Sequence, residues 1–507
     1  MTLFSNRTAD SVPLVLNQVL HEKIFPDFHF YLSSSPLLIL LGGALCLILL
    51  GSFQKNHLLP HKLNVFFAAF LCFLSALFSL LFFTQTPSNF LGGAFLVDEL
   101  SQKSFFVISL GTLLTILCSY TTEIGKKLLR YEMLALLLLS SSGMMIVVSS
   151  GEFASFFIGI ELLSISLYVM ISYQRLQKEG LEAGVKYFIN GAAGSAILLF
   201  GAALIYSCLG SLQFSSFHLL QLSWKSPFSA MGLFFFFIGL FFKLAVAPFH
   251  VWAADVYEGA NSHLTGYMAA FVKFTVVVFF IRLLSIHYSF NSQNHFIVFF
   301  SFLAICSMVI GALYGLVHNS VKRILAYSSI ANAGYFTVGF VTLISNPGNE
   351  LARQALFSYA IIYAVFSFSA FQLLGWFEEG NHENLLKEEL FGLGSKKPLA
   401  GVAFSIVLFG FAGIPPFAGF IGKYFILTSA LSQGFYGLVV TLIVLSSVSL
   451  YYYLSLCSDI WFRSPNRYSF KNNQSAKTNF SMNTILFCLI LIMVIVGIFG
   501  PRFAYHI

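Results

Sequence analysis

Charge is scarce in this chain of 507 residues: Asp, Glu, Lys and Arg together make 9% of it, against about a quarter in soluble globular domains. That excludes an ordinary water-soluble enzyme. Cysteine is sparse and scattered. Cys46, Cys72, Cys118, Cys208, Cys306, Cys457 and Cys488 contain no C-x-x-C pair, so iron–sulfur, zinc and disulfide frameworks lack the spacing they need. All seven read as small apolar side chains. No G-x-x-x-x-G-K-[ST] occurs, and no G-x-G-x-x-G joins a strand to a helix, which removes nucleotide binding. The sequence therefore calls for no cofactor and no metal. Its net charge of +7 lies in loops and needs no nucleic acid.

Apolar residues fill the place of the missing charge, at 58% of the chain. They come in blocks of about 17–25, the length that crosses a hydrocarbon core as a helix. A membrane barrel would show shorter, alternating segments. The expected fold is an all-α polytopic membrane protein with about 14 transmembrane helices. Hydropathy puts them near 36–53, 65–84, 105–121, 133–149, 153–172, 186–209, 230–250, 264–286, 297–317, 324–344, 355–376, 399–433, 435–456 and 483–500. Residues 1–35 lack the h-region of a cleavable signal, so the first span serves as the insertion signal. The loops that share one side hold 17 Lys and Arg, and the other side with both termini holds six. The positive-inside rule then puts both termini outside.

Four ionisable residues stay well inside spans: Glu161, Lys243, Lys273 and Lys423. Arg282 lies nearer a helix end, where it can snorkel. A lysine at mid-bilayer costs about 2.5–3.5 kcal/mol on insertion scales, and such residues mark ion paths and proton relays more often than packing. Two of the lysines sit beside helix breaks. Pro248 interrupts the seventh span, and Pro415–Pro416 in GIPPFAG interrupt the twelfth. Backbone groups freed at such breaks are tolerated only against protein or a water-filled cavity, where transporters place ion sites. A desolvated lysine beside another cation can give up its proton, and Glu161 would stabilise the protonated lysine it reaches. Two units of five helices, each with one broken helix and a lysine at the break, suggest inverted repeats. The expected division is 1–152 for the tail and first four helices, 153–296 for the first part of the core with broken helix 7, 297–456 for the second part with broken helix 12, and 457–507 for a charged loop and the last helix.

KLAVAPFHVWAADVYEG, EAGVKYFINGAAGSAILLFG, VKRILAYSSIANAGY, GFAGIPPFAGFIGKYFIL and LYYYL resemble the subunit N family (subunit 2 in mitochondria) of the proton-pumping NADH:quinone oxidoreductase, respiratory complex I, an antiporter-like, Mrp-related family. The likeness covers roughly 95–456. It implies proton translocation through Glu161 of the fifth helix, Lys243 of the broken seventh, Lys273 of the eighth and Lys423 of the broken twelfth. It implies a place beside M-like and K-like membrane-arm neighbours, with the NADH-oxidising peripheral arm reached indirectly. His250 matches the histidine after the seventh-helix proline, either as a relay member or as a hydrogen-bonded interface residue. Glu182 and Lys186 match a family pattern at a helix mouth. The chain departs from the family at Ala254, where W-x-P-D has proline, at Asn261-Ser262-His263, where a Pro-Thr-Pro turn is usual, and at Asn332, where histidine or glutamine is common. Asn332 cannot titrate, so a relay there needs water. The resemblance implies an energy-transducing membrane, bacterial or mitochondrial. An Mrp-type cation/proton antiporter subunit or a hydrogenase-linked relative is the alternative, and a degenerate scaffold is a third reading that the intact charges oppose.

Overall fold

A chain in hydrocarbon must satisfy its own backbone polar groups, and helices do so within one segment. The computed structural model describes residues 28–53, 61–83, 88–173, 178–221, 227–285, 293–378, 384–464, 490–491 and 493, and it is almost entirely helical. The long helices are α1 (Ser35–Phe53), α2 (His61–Leu81), α3 (Glu99–Thr121), α4 (Tyr131–Ser149), α5 (Phe153–Ile171), α6 (Lys178–Leu209), α7 (Pro227–Leu244), α8 (Val251–Gly259), α9 (Ser262–Ser285), α10 (Gln293–Val317), α11 (Val321–Ser345), α12 (Glu350–Phe377), α13 (Pro398–Ala412), α14 (Ala418–Leu431) and α15 (Tyr436–Trp461). Among the described residues eleven are long and apolar enough to cross a membrane, and α7, α13 and α14 are shorter apolar pieces. The expected span 483–500 falls almost wholly outside the described residues.

Burial sorts these helices into layers. α9, α11 and α12 are almost wholly enclosed, whereas α1, α6 and α15 are only one-third buried and turn residues such as Leu49, Ile189 and Val440 outward. Large apolar side chains on the outside are what lipid, not water, rewards. Small residues let the helices close up. A Cβ on Gly143 of α4 would lie 2.7 Å from the Leu163 nitrogen of α5, the near-contact of backbones that small residues permit in membranes. One end of the bundle is closed by a hairpin of β1 (Ser88–Phe90) and β2 (Phe95–Val97), paired antiparallel with Phe90 opposite Phe95. The Gly151 N–H donates to the Ala94 carbonyl at 2.9 Å, and Gln213 Nε2 to the Gly92 carbonyl at 2.7 Å. The hairpin thus ties the α4–α5 turn to the segment after α6.

Two expected boundaries change. The sixth span begins at Lys178 and not at 186, so Glu182 and Lys186 stand within α6 one turn apart, not at its mouth. The stretch 251–263, expected between two spans, holds the helix α8 over Val251–Gly259. Asp255 and Glu258 lower its hydropathy, which hides a helix from a hydropathy scan without weakening its helix-forming backbone.

Candidate functional site

Each broken helix ends its first half in the same way. A helix leaves its last four carbonyls without internal partners. At the end of α7 the N–H of Ala245 donates to the Phe242 carbonyl (3.1 Å) and that of Val246 to the Phe241 carbonyl (3.0 Å). At the end of α13 the N–H of Gly413 donates to the Gly410 carbonyl (3.1 Å) and that of Ile414 to the Phe409 carbonyl (3.2 Å). Both are Schellman closures, which need a left-handed residue. Gly413 supplies it at φ +76°, and Ala245 adopts φ +56° at a cost of roughly 1–2 kcal/mol for a side chain with a Cβ. Prolines follow in both: Pro248 after α7, Pro415 and Pro416 after α13.

Lys423 completes the second closure. Its Nζ donates to the carbonyls of Phe411 (2.7 Å) and Ala412 (3.2 Å). With Phe409 and Gly410 already taken, all four terminal carbonyls of α13 are satisfied, and a cation stands at the negative end of a helix dipole. The Lys423 Nζ also lies 5.2 Å from the Tyr335 ring centroid.

Lys243 sits in the last turn of α7 itself. Its Nζ donates to Ser164 Oγ at 2.9 Å and to the Tyr168 hydroxyl at 3.5 Å. Glu161, Ser164 and Tyr168 recur at three and four residues along α5, which puts them on one helix face. Glu161 acts on Lys243 without touching it: no ion pair joins the two, and Glu161 Oε1 is buried without a hydrogen-bond partner. A serine one turn along occupies the ammonium instead. On either side of Pro248, the Ala247 N–H donates to Ser307 Oγ (2.8 Å), and Trp252 Nε1 donates back to the Phe242 carbonyl (3.2 Å). His250 Nδ1 is buried without a hydrogen-bond partner.

Lys273 follows a π-helical turn, Met268–Val272, inside α9. Single π turns are frequent at functional positions. Its Nζ donates to Ser329 Oγ (2.5 Å) and to the Ser329 carbonyl (2.9 Å), and the Tyr363 hydroxyl donates to the same Oγ at 2.8 Å. Asn332, one turn along α11, donates to the Ser328 carbonyl (2.7 Å) and accepts from the Tyr359 hydroxyl. Sequence reasoning missed Ser164, Tyr168, Ser329 and Tyr363, because hydroxyls in apolar helices carry no charge for a scan to flag. The signal available for Ser164, Tyr168 and Ser329 was their helical spacing from Glu161 and Asn332; Tyr363, on α12, carried none.

Glu182 and Lys186 stand in a cluster of charged side chains. Lys186 bridges Glu182 (2.8 Å) and Asp255 (2.9 Å), and Arg323 bridges Asp255 (3.0 Å) and Glu258. Together with Glu179 and Asn384 these line a cavity of about 160 Å³. The absent Pro-Thr-Pro turn is replaced by Asn261, whose side chain accepts from the His263 N–H (3.0 Å) and caps α9. His263 is a tie, with Nδ1 against Gln372 Oε1 (2.5 Å) and Nε2 against Thr122 Oγ1 (3.1 Å). Arg282 does not snorkel. It is 9% exposed and binds Asp98 (2.7 Å), Ser101 Oγ (2.7 Å) and the Val148 carbonyl (3.0 Å).

Three buried lysines, two helices broken by the same closure and an enclosed helical core define an antiporter-like membrane protein. The chain belongs to the NADH:quinone oxidoreductase/Mrp antiporter transmembrane family, whose model matches residues 150–449, and to its subunit N group. NADH-quinone oxidoreductase subunit N 1 of Thermodesulfovibrio yellowstonii is 34% identical over 85% of this chain and 90% of its own length. A chain of the respiratory complex I structure from Thermus thermophilus with bound aureothin superposes with a TM-score of 0.76 at 31% identity, covering 92% of this chain and 98% of that one. A chain of the Mrp complex from Dietzia sp. has a TM-score of 0.78 at 18% identity, covering 93% and 95%; this likeness is one of fold.

Proposed function

We propose that the chain is an antiporter-like proton-translocating membrane-arm subunit of NADH:quinone oxidoreductase. It holds no redox centre and moves protons along Glu161, Lys243, Lys273 and Lys423, driven by electron transfer in other subunits. One observation carries the reading. Lys243, Lys273 and Lys423 are 4%, 1% and 7% exposed, yet none is ion-paired among the described residues; each is held by neutral oxygens. A permanently charged, unpaired ammonium at low dielectric is costly, and a packing role would be filled more cheaply by methionine. Groups that exchange protons justify the cost, and protonating one lysine favours release from the next. Glu161, half-buried with a free oxygen, biases the first member. Lys186, Glu182 and His250 support the row from its flank, and Pro248, Pro415 and Pro416 hold the breaks open.

The chain divides into the helices of 1–152, the core parts 153–296 and 297–456, and 457–507. Its neighbours are M-like and K-like subunits, and its bacterial relatives favour a bacterial inner membrane over a mitochondrial one. In an assembled complex, Lys273→Met should cut the NADH-driven pH change in closed vesicles by about a hundredfold, the scale of a lost proton-transfer group. Wild-type pumping would refute the reading. The Mrp-type fold match favours cation/proton antiport as the second reading. Failure to co-purify with an NADH-oxidising arm would select it. The charge bias of the loops further predicts that a cysteine at Asn384 labels only from the cytoplasmic side, whereas one in the tail labels from outside. Both are read with a membrane-impermeant thiol reagent on intact cells, and the reverse pattern inverts the topology.

A further inference from the structure

We infer that Ser329 and Tyr363 relay the proton between Lys273 and Lys423, passing beside Asn332 and not through it. This rests on the lysine row being the proton path. Asn332 is spent: its amide nitrogen donates to the Ser328 carbonyl and its oxygen accepts from Tyr359, and an amide does not titrate. Tyr363 touches the surroundings of both lysines instead. On one side its hydroxyl shares Ser329 Oγ with Lys273, whose Nζ lies 5.9 Å from the Tyr363 ring centroid. On the other side its ring lies 6.3 Å from the ring of Phe411, and the Phe411 carbonyl holds the Lys423 ammonium at 2.7 Å. Ser329, Tyr363 and Phe411 are all buried.

The hydroxyls balance without ionising. When Lys273 is neutral, the Tyr363 O–H points at Ser329 Oγ and the Ser329 O–H at Nζ. An N–H bond forms on Lys273 as the serine O–H breaks. A new serine O–H forms as the tyrosine O–H breaks. Tyr363 regains its proton from one bridging water, which takes one from the Lys423 ammonium. Lys273 gains one proton, Lys423 loses one, and each hydroxyl and the water end as they began. Rotation of the hydroxyls resets the direction.

Tyr363→Phe keeps the ring and removes only the oxygen. In assembled complex in closed vesicles it should lower protons pumped per NADH oxidised by about tenfold, below the full span of a positioned proton-transfer group because water substitutes in part. Ser329→Ala should fall similarly and Ser329→Thr should recover. Tyr267→Phe is the control: an equally buried tyrosine whose hydroxyl meets Ser140 at 3.2 Å, away from the row, and it should pump as wild type. Pumping by Tyr363→Phe at the Tyr267→Phe level overturns the relay. Should Tyr363→Phe fail to assemble, the Ser329→Ala and Ser329→Thr pair decides: equal pumping by the two overturns it. Lys273→Met separates the two layers of the argument. A dead Lys273→Met beside an active Tyr363→Phe sinks only the relay, and an active Lys273→Met sinks the lysine row itself.

Discussion

Lys243→Met should assemble and fail to pump. The ammonium carries an insertion cost of about 2.5–3.5 kcal/mol, set against two neutral oxygens, Ser164 Oγ and the Tyr168 hydroxyl. Methionine keeps nearly the same length and removes that cost, so folding survives and the released serine hydroxyl can turn to its own helix carbonyl, as it already does to Ile160 at 2.5 Å. What is lost is the exchangeable proton. NADH-driven acidification of closed vesicles should fall about a hundredfold, and coupled NADH:quinone turnover with it. Lys243→Arg should fail as well, because a guanidinium with a pKa above ~12 holds its proton. Glu161→Gln should weaken pumping less than Lys243→Met, since Glu161 does not touch the ammonium and only sets the field around it. Wild-type pumping by an assembled Lys243→Met complex would return Lys243 to a packing role.

Arg282→Met should strike stability and leave the lysine row alone. Arg282 joins α9 to the start of α3 and the end of α4 through Asp98, Ser101 and the Val148 carbonyl. Asp98 also caps α3, accepting the Ser101 N–H at 2.9 Å. Removing the arginine strands a carboxylate and a carbonyl, a loss of about 3 kcal/mol, at the low end for a broken buried pair because Asp98 keeps some water. Thermal inactivation in detergent should report it. Asp98→Asn added to Arg282→Met should cost less than the two single changes summed, because they remove one shared interaction. Burial alone would raise the Asp98 carboxyl, but the Arg282 charge and the hydrogen bonds from Arg282 and Ser101 hold it below the usual carboxylate range. Its contribution is therefore present above the unfolded value near ~3.9 and is lost as pH falls through the lowered folded value. Additive single and double variants would exclude the pairing.

The spans among the described residues and both breaks were legible in the sequence because twenty-residue apolar blocks and prolines have few physical readings. Lys243, Lys273 and Lys423 stood out for the same reason: each is an expensive residue in a cheap background. Their partners were not legible. A serine in an apolar helix normally bonds its own i−4 carbonyl, so nothing in the letters distinguishes Ser329, which holds an ammonium, from Ser142, which bonds the Leu138 carbonyl at 2.8 Å. How far Glu161 stands from Lys243 was not legible either, since the family pattern names residues and not distances. Arg282 looked free to snorkel because Asp98 lies 184 positions away and only the fold brings them together. The π turn in α9 has no compositional mark at all.

That turn, Met268–Val272, makes α9 a spliced rod with two phases. A helix advances about 100° of azimuth per residue, so one surplus residue offsets every side chain after the splice from every side chain before it by that angle. Tyr267 keeps its bearing on Ser140 while Lys273 is swung to Ser329. Deleting a single alanine from the splice would restore one phase to the whole rod. It would remove no charge, hydroxyl or proline, yet it would point either the tyrosine or the lysine at the wrong neighbour. The aim of the lysine is thus set by arithmetic along the chain, as an insertion of one.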